Sequence, residues 1–228
     1  MSDTTRLQRS IRRAARRLET IAGELDGVDV ESLSGDDWLL VRARIGNLTA
    51  DFNDGVADVD RLLGTTGGQA RILRYLQLRL GEVVTKDELS GVAGIYEWAR
   101  RVRELRMDQG WAIHSSVTRP DLRVGDYVLE RDRPDENLAR NWTHARRMRN
   151  LRTAGGAAPP RVRVLEYLKV IYPQAADIEQ LVYVAGSWSN WSRSVEDLRG
   201  DGWQITAVSE DGPGSAEGHR LASLERQA

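Results

Sequence analysis

The chain contains no cysteine, so disulfides and thiolate zinc sites are excluded. Its three histidines, His114, His144 and His219, lie far apart, and none has a partner at metal-ligand spacing. No apolar run approaches membrane-spanning length, and the opening MSDTTRLQRS lacks the apolar segment of a signal peptide. A soluble, cytoplasmic protein is expected. A nucleophile elbow, a phosphate-cradling loop and a dinucleotide fingerprint are also missing. GTTGGQA is glycine-rich, but it follows a helical pattern and has no lysine after it, so it reads as a linker. No catalytic residue, metal or cofactor is expected here, and a nuclease reading requires sequence beyond Ala228. Lysine is nearly lacking too: Lys86 and Lys169 stand alone among 33 basic residues. Arginine binds phosphate and guanine bidentately, which lysine cannot, although a GC-rich coding sequence produces the same bias. A net charge of −1 excludes little, because a DNA binder needs a local basic patch and not a basic total.

What is present is a repeat. GIYEWARRVRELRMDQGWAI, Gly94 to Ile113, is echoed by GSWSNWSRSVEDLRGDGWQI, Gly186 to Ile205. Superposition puts Trp98 on Trp191, Val102 on Val195, Leu105 on Leu198 and Trp111 on Trp203. The first three positions make one apolar helical stripe, and Arg100, Arg101, Arg103 and Arg106 fall mostly off it. Gly110 or Gly202 ends the helix, and a short apolar strand follows.

Before the repeats, Leu7, Ile11, Ala14, Leu18, Ile21 and Leu25 form a heptad seam flanked by Arg9, Arg12, Arg13, Arg16 and Arg17. That arginine run is either a solvated face or a nucleic-acid arm. A second helix, capped by Ser34 or Asp36, runs to about Leu63 with the stripe Val41, Ile45, Leu48, Phe52, Val59 and Leu62 or Leu63. Residues 1–66 are therefore expected as a helical hairpin whose seams are buried against each other or in a dimer. Residues 69–131 follow as the first repeat. ARILRYLQLRL gives one helix, the capping box Thr85–Glu88 opens a second, and the third runs from about Tyr96 to Asp108. Strands at Trp111–Ile113 and Tyr127–Leu129 complete a winged helix. Residues 132–160 join the repeats through the basic stretch NLARNWTHARRMRNLR, which reads as a helix that contacts phosphate or packs Leu138, Trp142 and Leu151. The flexible TAGGAAPP comes after it. Residues 161–228 form the second repeat, with Tyr167 on Tyr75, Leu168 on Leu76 and Leu181 on Leu89. Its wing is SEDGPGSAEGHRLASLE. The expected fold class is mainly α with small β-wings (α+β), a helical hairpin followed by two tandem winged-helix domains.

The first residues of a recognition helix reach base edges in the major groove. The candidate DNA-binding residues are Tyr96, Arg100, Arg101 and Arg103 in the first repeat and Trp188, Asn190, Trp191, Arg193 and Ser194 in the second. Arg119 and Arg123 of the first wing and Arg146 and Arg147 of the linker helix join them. Arginine reads guanine and asparagine reads adenine. Against this, Tyr96 and Trp188 can simply close a turn, and Trp98 and Trp191 can be core. EWARRVRELRMDQGWAI, preceded by VVTKDELSGVAG, resembles the winged-helix modules that precede HNH nuclease domains in bacterial modification-dependent (type IV) restriction enzymes. The resemblance covers about residues 69 to 226. It implies a partner in double-stranded DNA, with 6-methyladenine as a possible target. No HNH motif is present, and the second repeat lacks the RRVRELR charge pattern. The expected function is duplex DNA reading in a restriction system, with a dimeric winged-helix transcriptional regulator and a protein-binding scaffold as alternatives. A homo-oligomer through the N-terminal helices is expected.

Overall fold

The computed structural model describes residues 3–209 and 217–226, so the middle of the second wing lies outside the described residues. The chain divides into two compact units, Met1–Arg71 with Ala93–Tyr96, and Ile72–Val92 with Glu97–Ala228.

In the first unit, α1 (Asp3–Asp26) and α2 (Gly35–Leu63) form an antiparallel hairpin. Ser34 caps α2 through a capping box with Asp37, and Gly64 at φ 72° ends it. The helices approach closely where Ala14 meets Gly55, whose added Cβ would sit 3.3 Å from the Ala14 Cβ. Arg17–Asp51 and Arg44–Glu24 ion pairs flank the crossing. Fully buried positions of the two helices are Ala14, Val41 and Gly55. The heptad seam is therefore enclosed along one edge and open along the other, where Ile11 and Leu18 are 51% exposed and Leu25 is 46% exposed.

Next in order come α3 (Gly68–Leu78), α4 (Lys86–Ala93) and α5 (Trp98–Met107), then the antiparallel pair β1 (Ile113–Ser115) and β2 (Tyr127–Leu129). The basic helix α6 (Glu136–Arg149) and the pair β3 (Arg152–Thr153) and β4 (Gly156–Ala157) follow. The second repeat is α7 (Pro160–Ile171), β5 (Ala176–Asp177), α8 (Ile178–Ala185), α9 (Trp188–Gly200), β6 (Ile205–Ser209) and β7 (Glu217–Leu221). The protein is mainly α with small antiparallel sheets, as its sequence indicates. Within the stretch TAGGAAPP, expected as a flexible linker, the chain makes a short hairpin. Arg152 pairs with Ala157 and Thr153 with Gly156 across a Gly-containing tight turn.

The repeats agree in side-chain detail. Tyr75 donates its hydroxyl to Glu88 at 2.8 Å, and Tyr167 donates to Gln180 at 2.9 Å. Each acceptor is the third residue of a capping box, Thr85–Glu88 and Asp177–Gln180. Each first helix is thereby tied to the start of the second. Arg163 donates to the Ala185 carbonyl at 2.8 Å, and Arg71 donates to the Ala93 carbonyl, the same 22-residue separation. Val84 exchanges two backbone hydrogen bonds with Tyr127 at 2.8 Å, and Ala176 pairs with His219 in the three-stranded order β5-β7-β6. The turn glycines 94, 110, 186 and 202 all have positive φ, where residues with a Cβ are strained.

The core of the second repeat gathers Val164, Tyr167, Leu168, Leu181, Val195 and Leu198 with Trp142, Ala145 and Met148 of α6. Met107 of the first repeat belongs to the same cluster. Each buried valine, leucine or methionine among them stabilises the fold by about 1.5–3 kcal/mol relative to exposure. The linker helix is thus a structural strut on its inner face.

Candidate nucleic-acid interface

Helices α5 and α9 bury their expected stripes. Val102, Leu105, Val195 and Leu198 are inside. Trp98 is half-buried with its ring edge-on to Tyr127 at 6.1 Å, and Trp191 is placed likewise against His219 at 5.3 Å. Each tryptophan thus leans on the strand of its own hairpin.

The outward side of α5 presents Arg100 and Arg103, with Arg101 half-exposed. Arg100 Nε pairs with Glu104 at 3.1 Å, and Arg101 Nη1 pairs with the same carboxylate at 2.7 Å. The Arg101 hydrogen bond is the main cause that holds the Glu104 carboxyl below its ordinary range, with burial opposing. Exposed pairs of this kind hold only weakly, so the glutamate can be exchanged for another anion at little cost. Arg103 forms no ion pair among the described residues. Tyr96, in the turn before α5, is fully exposed.

On α9, Arg193 falls at the position of Arg100 and is exposed. Trp188 is 55% exposed, its ring edge-on to Trp191 at 5.9 Å. Asn190 is half-exposed, and its backbone N–H donates to the capping Ser187 hydroxyl at 3.2 Å. Ser194 is not on this outer side. It is buried, and its hydroxyl donates to the Asn190 carbonyl one turn back at 2.5 Å. The indole N–H of Trp191 is buried and has no acceptor among the described residues.

Elsewhere, Arg119 is held by Asp121, Nε to Oδ1 3.1 Å, while Arg123 projects from the same turn. Arg146 pairs with Asp108 at the end of α5. Arg147 lies on the exposed side of α6. A groove of about 810 Å³ runs between α5, the turns that join β1 to β2, α6 and α8, and Arg100, Arg103 and Arg146 line it with Tyr127 and Tyr183.

A residue with no assigned role in the sequence reading turns out to join the repeats. Arg106 of α5 is nearly buried, and its Nη1 donates to Glu179 of α8 at 2.8 Å. Burial pushes its pKa down, against the attraction of Asp177. Burial pushes the Asp177 carboxyl up, opposed by the Gln180 backbone N–H, Arg106 and His114. A buried cation between two carboxylates sets the second repeat against the first. Arg149 adds a second tie between α6 and α8, donating to the Tyr183 carbonyl at 3.0 Å and lying 5.9 Å over that ring. The signal available in sequence was an arginine one position past the stripe.

The family described as the KpnI N-terminal domain matches this chain at residues 69–130 and again at 161–219. The two matches together span just over half of the chain. This chain belongs to the KpnI N-terminal domain family. The two matched segments are the two repeats seen in the fold, so each repeat is one copy of the family's domain. The chain is a restriction-enzyme-related module, the relationship the sequence motifs indicate at that level. A comparison with curated proteins gave no match. Among the described residues no helix is long and apolar enough to cross a membrane.

Proposed function

We propose that this chain is the DNA-reading part of a restriction system and binds duplex DNA through two tandem winged helices. One observation carries the reading: a restriction-enzyme domain occurs twice, and each copy presents an exposed arginine, Arg100 or Arg193, on the outward side of its third helix. Three helices followed by an antiparallel hairpin are the elements of a winged helix, with α5 and α9 in the recognition position. In the major groove Arg100 and Arg193 read guanine and Asn190 reads adenine. Trp188 supplies an exposed aromatic surface beside Asn190, suited to an apolar group such as the methyl of 6-methyladenine. Arg103, Arg123 and Arg147 lie free to meet phosphates, and Arg101, Arg119 and Arg146 reach them by exchanging an acidic partner for the backbone.

The test is a fluorescence-anisotropy titration of the full chain against matched duplexes differing in adenine methylation. Tighter binding of the methylated duplex, lost in Trp188→Ala, is the expected result. Equal affinities remove methylation from the reading, and absence of binding to either duplex removes DNA reading altogether.

A further inference from the structure

Among the described residues, an apolar stripe of α1 is left without a partner. Ile11, Ala15, Leu18, Ala22 and Leu25 recur at steps of four and three, and all five are exposed. They lie beside, not on, the edge that α2 covers, which holds Leu7, Ala14 and Ile21. Two helices cannot enclose a seam of this width, and bundles complete it with further helices.

We propose that a second copy of this chain covers the stripe, α1 packing antiparallel on α1 about a two-fold axis at Leu18. Ile11 and Leu25 lie seven residues to either side of Leu18, so Ile11 of one copy meets Leu25 of the other while Leu18 meets itself. Such self-complementarity is what an isologous contact requires. Charge decides the direction. Leaving aside Arg17 and Glu24, which pair with α2, Arg6, Arg9, Arg12, Arg13 and Arg16 outnumber Asp3 in the first half of α1, whereas Glu19 and Asp26 occupy the second. Antiparallel packing lays the basic half of each copy on the acidic half of the other. Parallel packing would stack arginines on arginines, which is unfavourable. The contact is independent of the DNA-reading proposal, because it uses no residue of the repeats.

The absence of native cysteine makes the arrangement directly testable in the full chain. Under mild oxidation Leu18→Cys should crosslink to itself. Ile11→Cys should stay single alone but crosslink when mixed with Leu25→Cys, because a disulfide demands Cβ atoms about 3.8 Å apart. Thr20→Cys, on an exposed polar position of the same helix, should not crosslink. Light scattering should give a dimer for the unmodified chain. Leu18→Glu should weaken it by about 100-fold or more, since each dimer buries that position twice. Circular dichroism checks that the helices persist in the variant. A monomer at high micromolar concentration overturns the proposal. Self-crosslinking of Ile11→Cys overturns the antiparallel direction, and an unaltered dimer in Leu18→Glu overturns the interface.

Discussion

Replacing Arg106 by methionine tests the buried link between the repeats. The substitution keeps the unbranched apolar stem of the side chain and removes the charged guanidinium. It leaves Glu179, three-quarters buried, without its cation and strips Asp177 of one of its opposing charges. Removing one partner of a buried pair costs about 3–5 kcal/mol. The lower end applies here because Glu179 retains some solvent, so about 3 kcal/mol is expected. For a unit of this size that is roughly a 6–12 °C fall in melting temperature. Glu179→Gln should cost much less, about 1 kcal/mol, because Asp177 still faces the cation and the amide still accepts a hydrogen bond. The assay is urea unfolding followed by tryptophan fluorescence, which Trp111 and Trp142 report from within this unit. Equal losses in the two variants, or a loss below about 1 kcal/mol in Arg106→Met, would refute the assignment of Arg106 as the shared counter-charge.

Further outcomes follow from the turns and caps. Gly110 has φ +75°, and a Cβ there would run into the Asp135 carbonyl oxygen. Gly110→Ala should therefore destabilise by more than about 1 kcal/mol, seen as a lower thermal midpoint, while Gly155→Ala, with open space around it, should not. The Glu88 carboxyl lies below its ordinary range, chiefly through the Thr85 backbone N–H and then the Tyr75 hydroxyl. Its folded value is below its unfolded one, so its contribution is complete above about pH 4.3 and is lost as pH falls through the folded value. Urea midpoints measured downward from neutral pH should fall less steeply in Glu88→Gln than in the unmodified chain. Tyr167→Phe removes a buried hydrogen bond to Gln180 and should cost about 1–2 kcal/mol, measured by the same urea titration.

The repeat was legible in sequence because its signals are local and occur twice. Turn glycines, capping boxes and a tryptophan–valine–leucine stripe each announce a backbone event within a few residues. The open edge of α1 follows from geometry: Ala15 and Ala22 widen the heptad seam into an apolar face broader than one partner helix covers, and residue spacing alone does not say which half stays uncovered. The turn at 152–157 was not legible, since two-residue strands have no periodicity to read. Ser194 was misplaced on the outer side because its inward turn depends on a bond to its own backbone one turn earlier. The role of Arg106 was hidden for a different reason. Its partner Glu179 lies 73 residues away, and nothing near either residue marks a charge as buried.

The most direct test of the central claim is duplex binding by the full chain as salt is raised. Arginines exposed on α5, α6 and α9 predict measurable binding at low salt, with the logarithm of the association constant falling linearly against the logarithm of salt. Arg100→Ala and Arg193→Ala should each weaken binding, and Arg103→Ala should lower the slope by about 0.9. Binding that ignores salt and these arginines, or no binding at low salt, would contradict the account.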